Sequence, residues 1–393
     1  MRVLIAAGGT GGHLYPGIAL AREFKRLVKG PAAGFASAGP GRGGIGGATA
    51  PQGPPQIKDV EILFVGTPRG LEGRVLQREG FPFRAIRVEG LIGRGVIKIL
   101  KTLTLLPVSL MDAYRILRDF KPDLVIGIGG YASGPVILLA GILGIRRVIL
   151  EPNAIPGWTN RTLARLGRAD LVVVAFEESR AFFKQMKLVA VLGNPVRREL
   201  VSPEITDSYP LGPDCHTLLV LGGSQGAHSI NQAMIQSLED FKRLKPDLSI
   251  IHQTGERDYE EVRRAYEDKG VKARVEPFLF DMGQVYREAG LVLSRAGATT
   301  LAEITACGKP AILVPYPHAA HDHQLKNALA LAETGAAIVI EDHRLNGPII
   351  VEKVLELMGD RERLRTMAQQ SRAKGNPRAA EDIVKHCLEL IER

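Results

Sequence analysis

One local pattern recurs along this chain: a short apolar run, a turn rich in glycine, and then a segment with helical periodicity. Arg2–Ala7 is the first such run, and Thr217–Leu221 begins a second series. Continuous apolar runs are typical of parallel strands that are buried on both faces. Strands that alternate with helices predict parallel sheets built from βαβ units, and therefore an α/β protein. The other runs that we predict to be strands are 123–128, 147–150 and 291–293.

The length of the chain and the restart of this pattern predict two domains. At 393 residues the chain is too long for one ordinary domain. The pattern restarts near residue 215, after a turn-rich stretch at 193–213. We therefore expect a first α/β domain at 1–195, a second at 196–373, and a final helix at 374–393 that packs on either of them.

Residues 30–56 depart from the pattern. They are crowded with Gly, Ala and Pro and have almost no periodicity. We interpret them as a flexible surface insertion, with a functional lid as the alternative.

The chain is basic, with a formal net charge of +9. A basic balance favours an anionic partner, namely nucleic acid, a phosphate-rich substrate or an anionic membrane surface. Aromatic residues make up only 5% of the chain, which argues against base-stacking platforms, and we expect no nucleic-acid partner. The cysteines lie far apart, form no CxxC motif and are odd in number, which favours a reducing compartment such as the cytoplasm. They are Cys215, Cys307 and Cys387.

Two segments bear on membrane contact. Residues 124–145 carry no charge and are long enough to span a bilayer, but central glycines interrupt them, so we interpret them as a buried strand, a turn and a buried helix. Residues 91–110 mix aliphatic side chains with Arg94, Lys98 and Lys101. This mixture indicates an interfacial segment on an anionic bilayer. An ordinary amphipathic helix packed on the sheet is an equally good interpretation.

The first glycine-rich turn is GGTGGH at 8–13, and we expect a helix from Leu14 after it. Glycine lets the backbone approach a ligand closely, and the N-terminus of a helix attracts anions. The turn is not a Walker A loop and lacks the G-x-G-x-x-G spacing of dinucleotide sites. We therefore expect an anionic or polar substrate here. The alternative is a tight strand-to-helix turn that binds nothing.

Three further turns carry candidate ligand-binding groups. The second turn, 127–135, follows another strand of the same domain, so the two loops are expected to face one crevice; close helix–sheet packing is the alternative. In the third turn, 221–227, Ser224 can cap the next helix or donate to a phosphate oxygen. In the fourth, 294–303, the carboxylate of Glu303 can accept hydrogen bonds from both hydroxyls of a ribose, or it can stabilise the helix dipole.

Three histidines lie close together in sequence, at His318, His321 and His323, beside Asp322. No HExxH or CxxC motif accompanies them, and no further ligand group is evident. We therefore predict no metal site and interpret the segment as a polar loop that faces the substrate.

Several motifs occur in the order that they have in one enzyme family: GGTGGHLYPGIALA, GIGGYASGP, EPNAIPGWTN, GNPVR, LGGSQGAHSIN, HQTG, SRAGATTLAEI and HDHQLKNA. Together they resemble the MurG family, the lipid-linked N-acetylglucosaminyltransferases of bacterial peptidoglycan synthesis, over nearly the whole chain. The resemblance implies an α/β GT-B fold, with two Rossmann-like domains facing across a cleft. It also implies a last helix that crosses back to the N-terminal domain.

The resemblance further implies a reaction: inverting transfer of GlcNAc from UDP-GlcNAc to the C4 hydroxyl of MurNAc-(pentapeptide)-pyrophosphoryl-undecaprenol, which is lipid I. The C-terminal domain would hold the donor, and the two glycine loops of the N-terminal domain would face the acceptor pyrophosphate. The enzyme would act peripherally at the cytoplasmic face of the cell membrane, with no metal or other cofactor.

Particular residues acquire roles from the same resemblance. Ser224 and Arg197 would contact the donor phosphate, and Glu303 would bind the ribose. Leu279 would border the uracil beside Phe278, with main-chain contacts. The other residues expected to contact the donor are Thr10, Gly11, Gly12, Asn153, Ala298 and Gln324. Those expected at the acceptor pyrophosphate are Gly9, Gly12, Gly130, Tyr131 and Ser133.

The reaction needs a general base for the C4-hydroxyl proton, and His13 is our hypothesis for that base. A purely structural role at the loop–helix junction is the alternative for His13. The chain departs from the usual family pattern at Leu150, Pro152 and His323, which affects single contacts rather than the reaction.

Other functions are compatible with parts of this pattern. Another GT-B enzyme that acts on UDP-GlcNAc, such as a 2-epimerase or a glycolipid synthase, is the nearest. A non-catalytic nucleotide-sugar binding protein is a second alternative, and in that case His13 would be dispensable. A Rossmann dehydrogenase is disfavoured because the dinucleotide fingerprint is missing.

Overall fold

The computed structural model describes residues 1–8, 11–28, 59–67, 72–88, 96–166, 169–201, 216–319 and 322–392. Within these ranges the strands form two separate sheets. Every strand pairing found there is parallel. The predicted α/β class is therefore confirmed. The insertion predicted at 30–56 lies outside the described residues.

The first half of the chain builds a seven-stranded sheet. Its strands are β1 (Arg2–Ala7), β2 (Glu61–Gly66), β3 (Phe83–Ala85), β4 (Leu124–Gly129), β5 (Arg146–Glu151), β6 (Leu171–Val174) and β7 (Val189–Val191). They lie in the order β3-β2-β1-β4-β5-β6-β7. The order reverses between β1 and β4, and ligands of open parallel sheets bind at the carboxyl ends of the strands at such a point.

The second half builds a six-stranded sheet with the same kind of reversal. Its strands are β8 (Thr217–Leu221), β9 (Ser249–Gln253), β10 (Ala273–Glu276), β11 (Leu291–Ser294), β12 (Ala311–Leu313) and β13 (Ala337–Val339). They lie in the order β10-β9-β8-β11-β12-β13. The loops after β8 and β11, which were predicted to bind a ligand, therefore emerge side by side.

Helices connect the strands in both halves. In the first half they are α1 (Gly11–Val28), α2 (Glu72–Arg78), α3 (Val96–Phe120), α4 (Ser133–Ile142), α5 (Trp158–Leu166) and α6 (Glu177–Arg180). Later in the chain come α7 (His228–Leu244), α8 (Tyr259–Lys269), α9 (Met282–Glu288), α10 (Ala298–Ala306), α11 (His323–Ala332), α12 (Gly347–Gly359), α13 (Arg361–Lys374) and α14 (Ala379–Glu392). Among the residues described, no helix combines the length and the apolar character needed to cross a membrane.

Successive residues of β1 belong to two different apolar cores, so both faces of the sheet are covered. Val3 lies in a core that α1 and α14 share, whereas Leu4 lies in a core on the other face with α4. From α14, Ile383 and Cys387 enter the first of these cores. The last helix, α14, therefore packs on the first half of the chain, although it follows the second half in sequence.

The helix after the first glycine loop begins earlier than predicted. The sequence predicted a start at Leu14, but α1 begins at Gly11. The last glycines of the motif thus form the first turn of the helix, and Pro16 lies within it. The strands match more closely: the run predicted at 123–128 is β4, Leu124–Gly129.

Candidate active site

The two glycine loops of the first half touch each other, as their position on neighbouring strands predicted. Gly130 has a φ of +78°, and a Cβ at this position would overlap the carbonyl oxygen of Gly8. Gly129 has a φ of +110°, and a Cβ there would lie 3.0 Å from the ring of His13. Only glycine fits such contacts. The loops therefore form one surface of backbone beside the N-terminus of α1.

His13 lies in the first turn of α1, where these loops meet. Its ring is half-buried, and its Nδ1 atom is buried without a hydrogen-bond partner among the described residues. Desolvation lowers the pKa of His13 below its usual value, against an opposing effect of the Ile128 backbone. The imidazole is therefore neutral near neutral pH and can accept a proton, as a general base must.

The two side chains predicted at the acceptor pyrophosphate differ in exposure. Tyr131 is 46% exposed at the tip of its loop. Ser133 is only 1% exposed, and its hydroxyl lies 2.8 Å from the carbonyl oxygen of Ala6 and 2.7 Å from that of Gly129. The hydroxyl of Ser133 therefore ties β1 to β4 from inside. A contact between Ser133 and the acceptor pyrophosphate stays a prediction, and the hydroxyl is already engaged by the protein.

A side chain without a predicted role holds the glycine loop of the second half in place. Gln253, the last residue of β9, donates from Nε2 to the carbonyl of Gly223 at 2.8 Å and accepts from the N–H of Leu279 at 3.0 Å. It thus links the loop of Ser224 to the segment expected to border the uracil. The N–H of Leu279 is occupied, so a main-chain contact to a base would involve its carbonyl. The sequence signal was the motif HQTG, at the carboxyl end of a strand.

Ser224 does not cap the helix that follows it. α7 begins at His228, and its N-cap residue is Ala227, whose side chain makes no capping bond. Ser224 lies, partly exposed, in the turn between Gly223 and Gly226. Of its two predicted roles, capping is therefore wrong, and donation to a ligand stays a prediction.

The residues expected to bind the donor phosphate and ribose are paired with each other. Arg197 Nη2 lies 3.0 Å from Glu303 Oε1, and both side chains are nearly buried. The hydroxyl of Tyr286 lies 3.4 Å from the other carboxylate oxygen. The ring of Tyr15, from α1, stacks on the Arg197 guanidinium at 4.8 Å from its centroid. The Nε atom of Arg197 is buried and lacks a hydrogen-bond partner among the described residues.

Gln324, expected to hold the sugar, lies in the first turn of α11. Its Oε1 atom accepts from the N–H of Tyr316 at 3.0 Å. The loop of Tyr316 is in turn held by Arg295, whose Nη1 atom donates to the carbonyl of Val314 at 3.2 Å and to the carboxylate of Asp342. Arg295 is nearly buried, so it organises this loop from behind. The sequence motif contained Arg295 but gave no reason to assign it that role.

Hydrogen bonds join the two halves of the chain beside these groups. The hydroxyl of Thr299, in α10, donates to the carbonyl of Gly12 at 2.7 Å. Asn153, which follows β5, accepts from Asn327 of α11 at 3.2 Å. Gly12 and Asn153 therefore both lie where the two halves meet, while Ala298 lies at the start of α10, next to Thr299.

The predicted residues Gly9, Thr10 and His321 lie outside the described residues, as do residues 91–95. Gly11 is the first residue of α1. In the described part of the chain, no group of three or more His, Cys, Asp or Glu side chains is arranged to hold a metal ion.

Two parallel-sheet domains with ligand loops at their facing edges define the GT-B class of glycosyltransferase folds. The chain aligns with the crystal structure of Acinetobacter baumannii MurG with a TM-score of 0.70 and 29% identity, over 100% of this chain and 99% of that one. It aligns with UDP-GlcNAc 2-epimerase from Neisseria meningitidis with a TM-score of 0.64, over 99% of this chain and 100% of that one. At 15% identity, the second likeness concerns the fold alone.

The sequence matches are more specific than the fold. The N-terminal domain model of glycosyltransferase family 28 matches residues 56–170, and the C-terminal domain model matches residues 217–383. A Myxococcus xanthus protein is 43% identical over 394 residues, covering 100% of this chain and 93% of that protein. Its name is UDP-N-acetylglucosamine--N-acetylmuramyl-(pentapeptide) pyrophosphoryl-undecaprenol N-acetylglucosamine transferase. The chain belongs to glycosyltransferase family 28.

Proposed function

We propose that this protein transfers GlcNAc from UDP-GlcNAc to the C4 hydroxyl of MurNAc-(pentapeptide)-pyrophosphoryl-undecaprenol, with inversion, to form lipid II. The observation that carries the proposal is the 43% identity, over the whole chain, to the Myxococcus xanthus transferase of that name. The same identity separates this reaction from the epimerase reaction, because the epimerase likeness is limited to the fold. The domains that we propose for it are 1–195, 196–373 and the closing helix at 374–393.

The donor is proposed to bind in the second half, beside Arg197 and Glu303. An unpartnered, buried N–H on Arg197 supports this role, since such a group is costly unless a ligand oxygen accepts from it. Ser224 and the N-termini of α7 and α10 supply further donors for the diphosphate. Together they would stabilise the charge that develops on UDP as it leaves.

The acceptor is proposed to bind in the first half, against the backbone surface of the two glycine loops. His13 would accept the proton of the C4 hydroxyl, and the oxygen would attack the anomeric carbon from the face opposite UDP. The desolvated, neutral imidazole supports this role. The hydrogen bond from Thr299 to Gly12 supports the placement of this surface next to the donor loops.

We also propose that the enzyme works peripherally at the cytoplasmic face of the cell membrane. In α3, Ala113 and Leu117 are buried, whereas Leu106, Met111 and Tyr114 expose apolar surface. Large apolar side chains that are exposed on a helix whose other face is packed support interfacial contact. Charge reversal of the basic residues in the segment 91–110 is expected to weaken binding to anionic vesicles, and unchanged binding would refute this part of the proposal. Those residues are Arg94, Lys98 and Lys101.

The decisive assay is transfer of radiolabelled GlcNAc from UDP-GlcNAc to a lipid I analogue, with a chelator present. Label in the lipid product would establish the transferase and show that no free divalent metal is needed. Without label, but with UDP-GlcNAc bound, a metal would be supplied next. If label were still absent, the UDP-sugar would be analysed for the C2 epimer, which separates a non-hydrolysing epimerase from a binding protein.

A further inference from the structure

Asn327 reaches from the second half of the chain into the first. It lies in α11 and is fully buried. Its Oδ1 atom accepts from the N–H of Ala154 at 2.9 Å, and its Nδ2 atom donates to Asn153 Oδ1 at 3.2 Å and to the carbonyl of Ala296 at 3.3 Å. One side chain thus joins the loop after β5, the helix α11 and the loop before α10.

The loop that Asn327 contacts is fixed from its other side by a buried carboxylate. Glu151, at the end of β5, is 2% exposed. Its Oε1 atom accepts from the backbone N–H and the side-chain Nδ2 of Asn153, at 3.0 and 3.1 Å. Its Oε2 atom accepts from the N–H of Gly157 at 3.1 Å and from Asn160 Nδ2 at 2.9 Å. With these donors in place, the segment 151–157 has one defined shape.

Both polar ends of the Asn153 side chain are therefore engaged by protein. Glu151 takes the amide nitrogen and Asn327 takes the amide oxygen. Asn153 therefore links Glu151 of the first half to Asn327 of the second, in addition to any contact that it makes with a substrate. Asn327 also lies three residues after Gln324 in α11, so the two side chains are neighbours on one helix face.

We propose that Asn327 is a positioning residue that holds segment 151–157 of the first half against α11, and so fixes the spacing between the two halves at which transfer occurs. This inference rests on the proposed function for its kinetic consequence. Its structural part, a loop of one half held by a side chain of the other, stands independently.

Hydrogen exchange tests the structural part in the full-length protein. Asn327→Ala is expected to speed exchange in the peptide 151–160, because the N–H of Ala154 loses its acceptor. Asn231→Ala is the matched control: Asn231 is equally buried and donates to Thr254 and Asp258, but within the second half only. It is expected to leave exchange at 151–160 unchanged. Unaltered exchange there in Asn327→Ala would overturn the proposal.

Kinetics tests the consequence. In Asn327→Asp one carboxylate oxygen can still accept from the N–H of Ala154, but the other oxygen faces the acceptor oxygens of Asn153 and Ala296 and repels them. We expect kcat to fall about tenfold to a hundredfold, the loss typical when reacting groups are misplaced by about 1 Å. The Kd for UDP alone is expected to change by less than about twofold, because the remaining donor contacts are intact. Equal losses in UDP binding and in kcat would indicate a merely structural residue and overturn the proposal.

The outcomes also separate this inference from the proposed function. If the wild-type chain transfers label and the Asn327 variants behave like it, the positioning role fails and the transferase stands. If the wild-type chain transfers no label, the transferase fails and the exchange result decides the role of Asn327. Should Asn327→Ala not bind UDP, Asn327→Ser replaces it in both measurements.

Discussion

The guanidinium of Arg197 lies 3.0 Å from the carboxylate of Glu303, and both side chains are nearly withdrawn from solvent. These are the residues proposed to bind the donor phosphate and the ribose. The pair leaves one donor for a ligand, because the buried Nε of Arg197 has no hydrogen-bond partner among the described residues. We therefore expect each partner to affect both the stability of the fold and the affinity for the donor, and the two effects can be measured separately.

Glu303→Gln is expected to remove discrimination between ribose and 2′-deoxyribose. A hydrogen bond to a charged group contributes about 1.5–3 kcal/mol, so the affinity for UDP should fall at least about tenfold. The affinity for 2′-deoxy-UDP should change much less. Competition binding with the two nucleotides measures this difference. Glu362→Gln, at an exposed position, serves as the control. If Glu303→Gln preferred UDP over 2′-deoxy-UDP as strongly as the wild type does, the contact with the ribose would be excluded.

Arg197→Ala is expected to lower the free energy of unfolding by about 3–5 kcal/mol, because it leaves the Glu303 carboxylate buried without its cation. Urea unfolding of the ligand-free protein measures the loss. Arg243→Ala is the control, since its pair with Asp240 is largely exposed and is worth at most about 1 kcal/mol. Adding Glu303→Gln to Arg197→Ala should recover part of the stability. If it recovers none, the loss does not come from an uncompensated charge.

His13→Gln is expected to lower kcat by about 10²–10⁴-fold, the usual contribution of a general base. Because desolvation lowers the pKa of His13, the neutral form persists below pH 6.5, and the wild-type rate should fall only as the pH drops further. That acid limb should vanish in the variant. The pH dependence of kcat on a lipid I analogue tests this. A loss of less than about tenfold would make the general-base role untenable.

His252 should make the stability of the protein depend on pH. Burial lowers the pKa of His252 from 6.5 to about 3. Between these values the unfolded chain binds more protons than the folded one, so the free energy of unfolding falls as the pH drops below 6.5, by about 1.4 kcal/mol per unit. The stabilisation is complete above 6.5.

His252→Gln should flatten that dependence, because glutamine does not titrate. Urea unfolding at several values between about pH 7 and about pH 5 compares the two slopes. The exposed His343→Gln is the control and should keep the wild-type slope. Identical slopes in wild type and His252→Gln would mean that the charge of His252 is not linked to folding.

The features of this fold that follow from local pattern were predictable. Buried parallel strands are continuous apolar runs, so β1 was found at its true bounds and β4 within one residue of them. Adjacency of β1 and β4 followed from the rule that ligand loops gather at one edge. The glycines were conspicuous for a physical reason: at Gly130 any side chain would overlap the backbone of Gly8.

The contacts between the halves were not predictable in this way. Asn327 and Asn153 are 174 residues apart, and neither has a periodic or motif signal that points to the other. Their contact depends on how the two domains dock. The burial of Ser133 was missed for a related reason. A serine after a glycine turn is typical of a ligand-binding loop, and its actual acceptor, the carbonyl of Ala6, lies on a strand that is distant in sequence.

The position of α14 has a consequence for how the chain is made. Ile383 and Cys387 belong to the same core as Val3, which lies in β1. During translation that strand and α1 leave the exit tunnel long before the helix that covers them. The first half therefore stays incomplete until α14 has been synthesised, and a nascent chain stalled before residue 379 leaves an apolar surface exposed to chaperones.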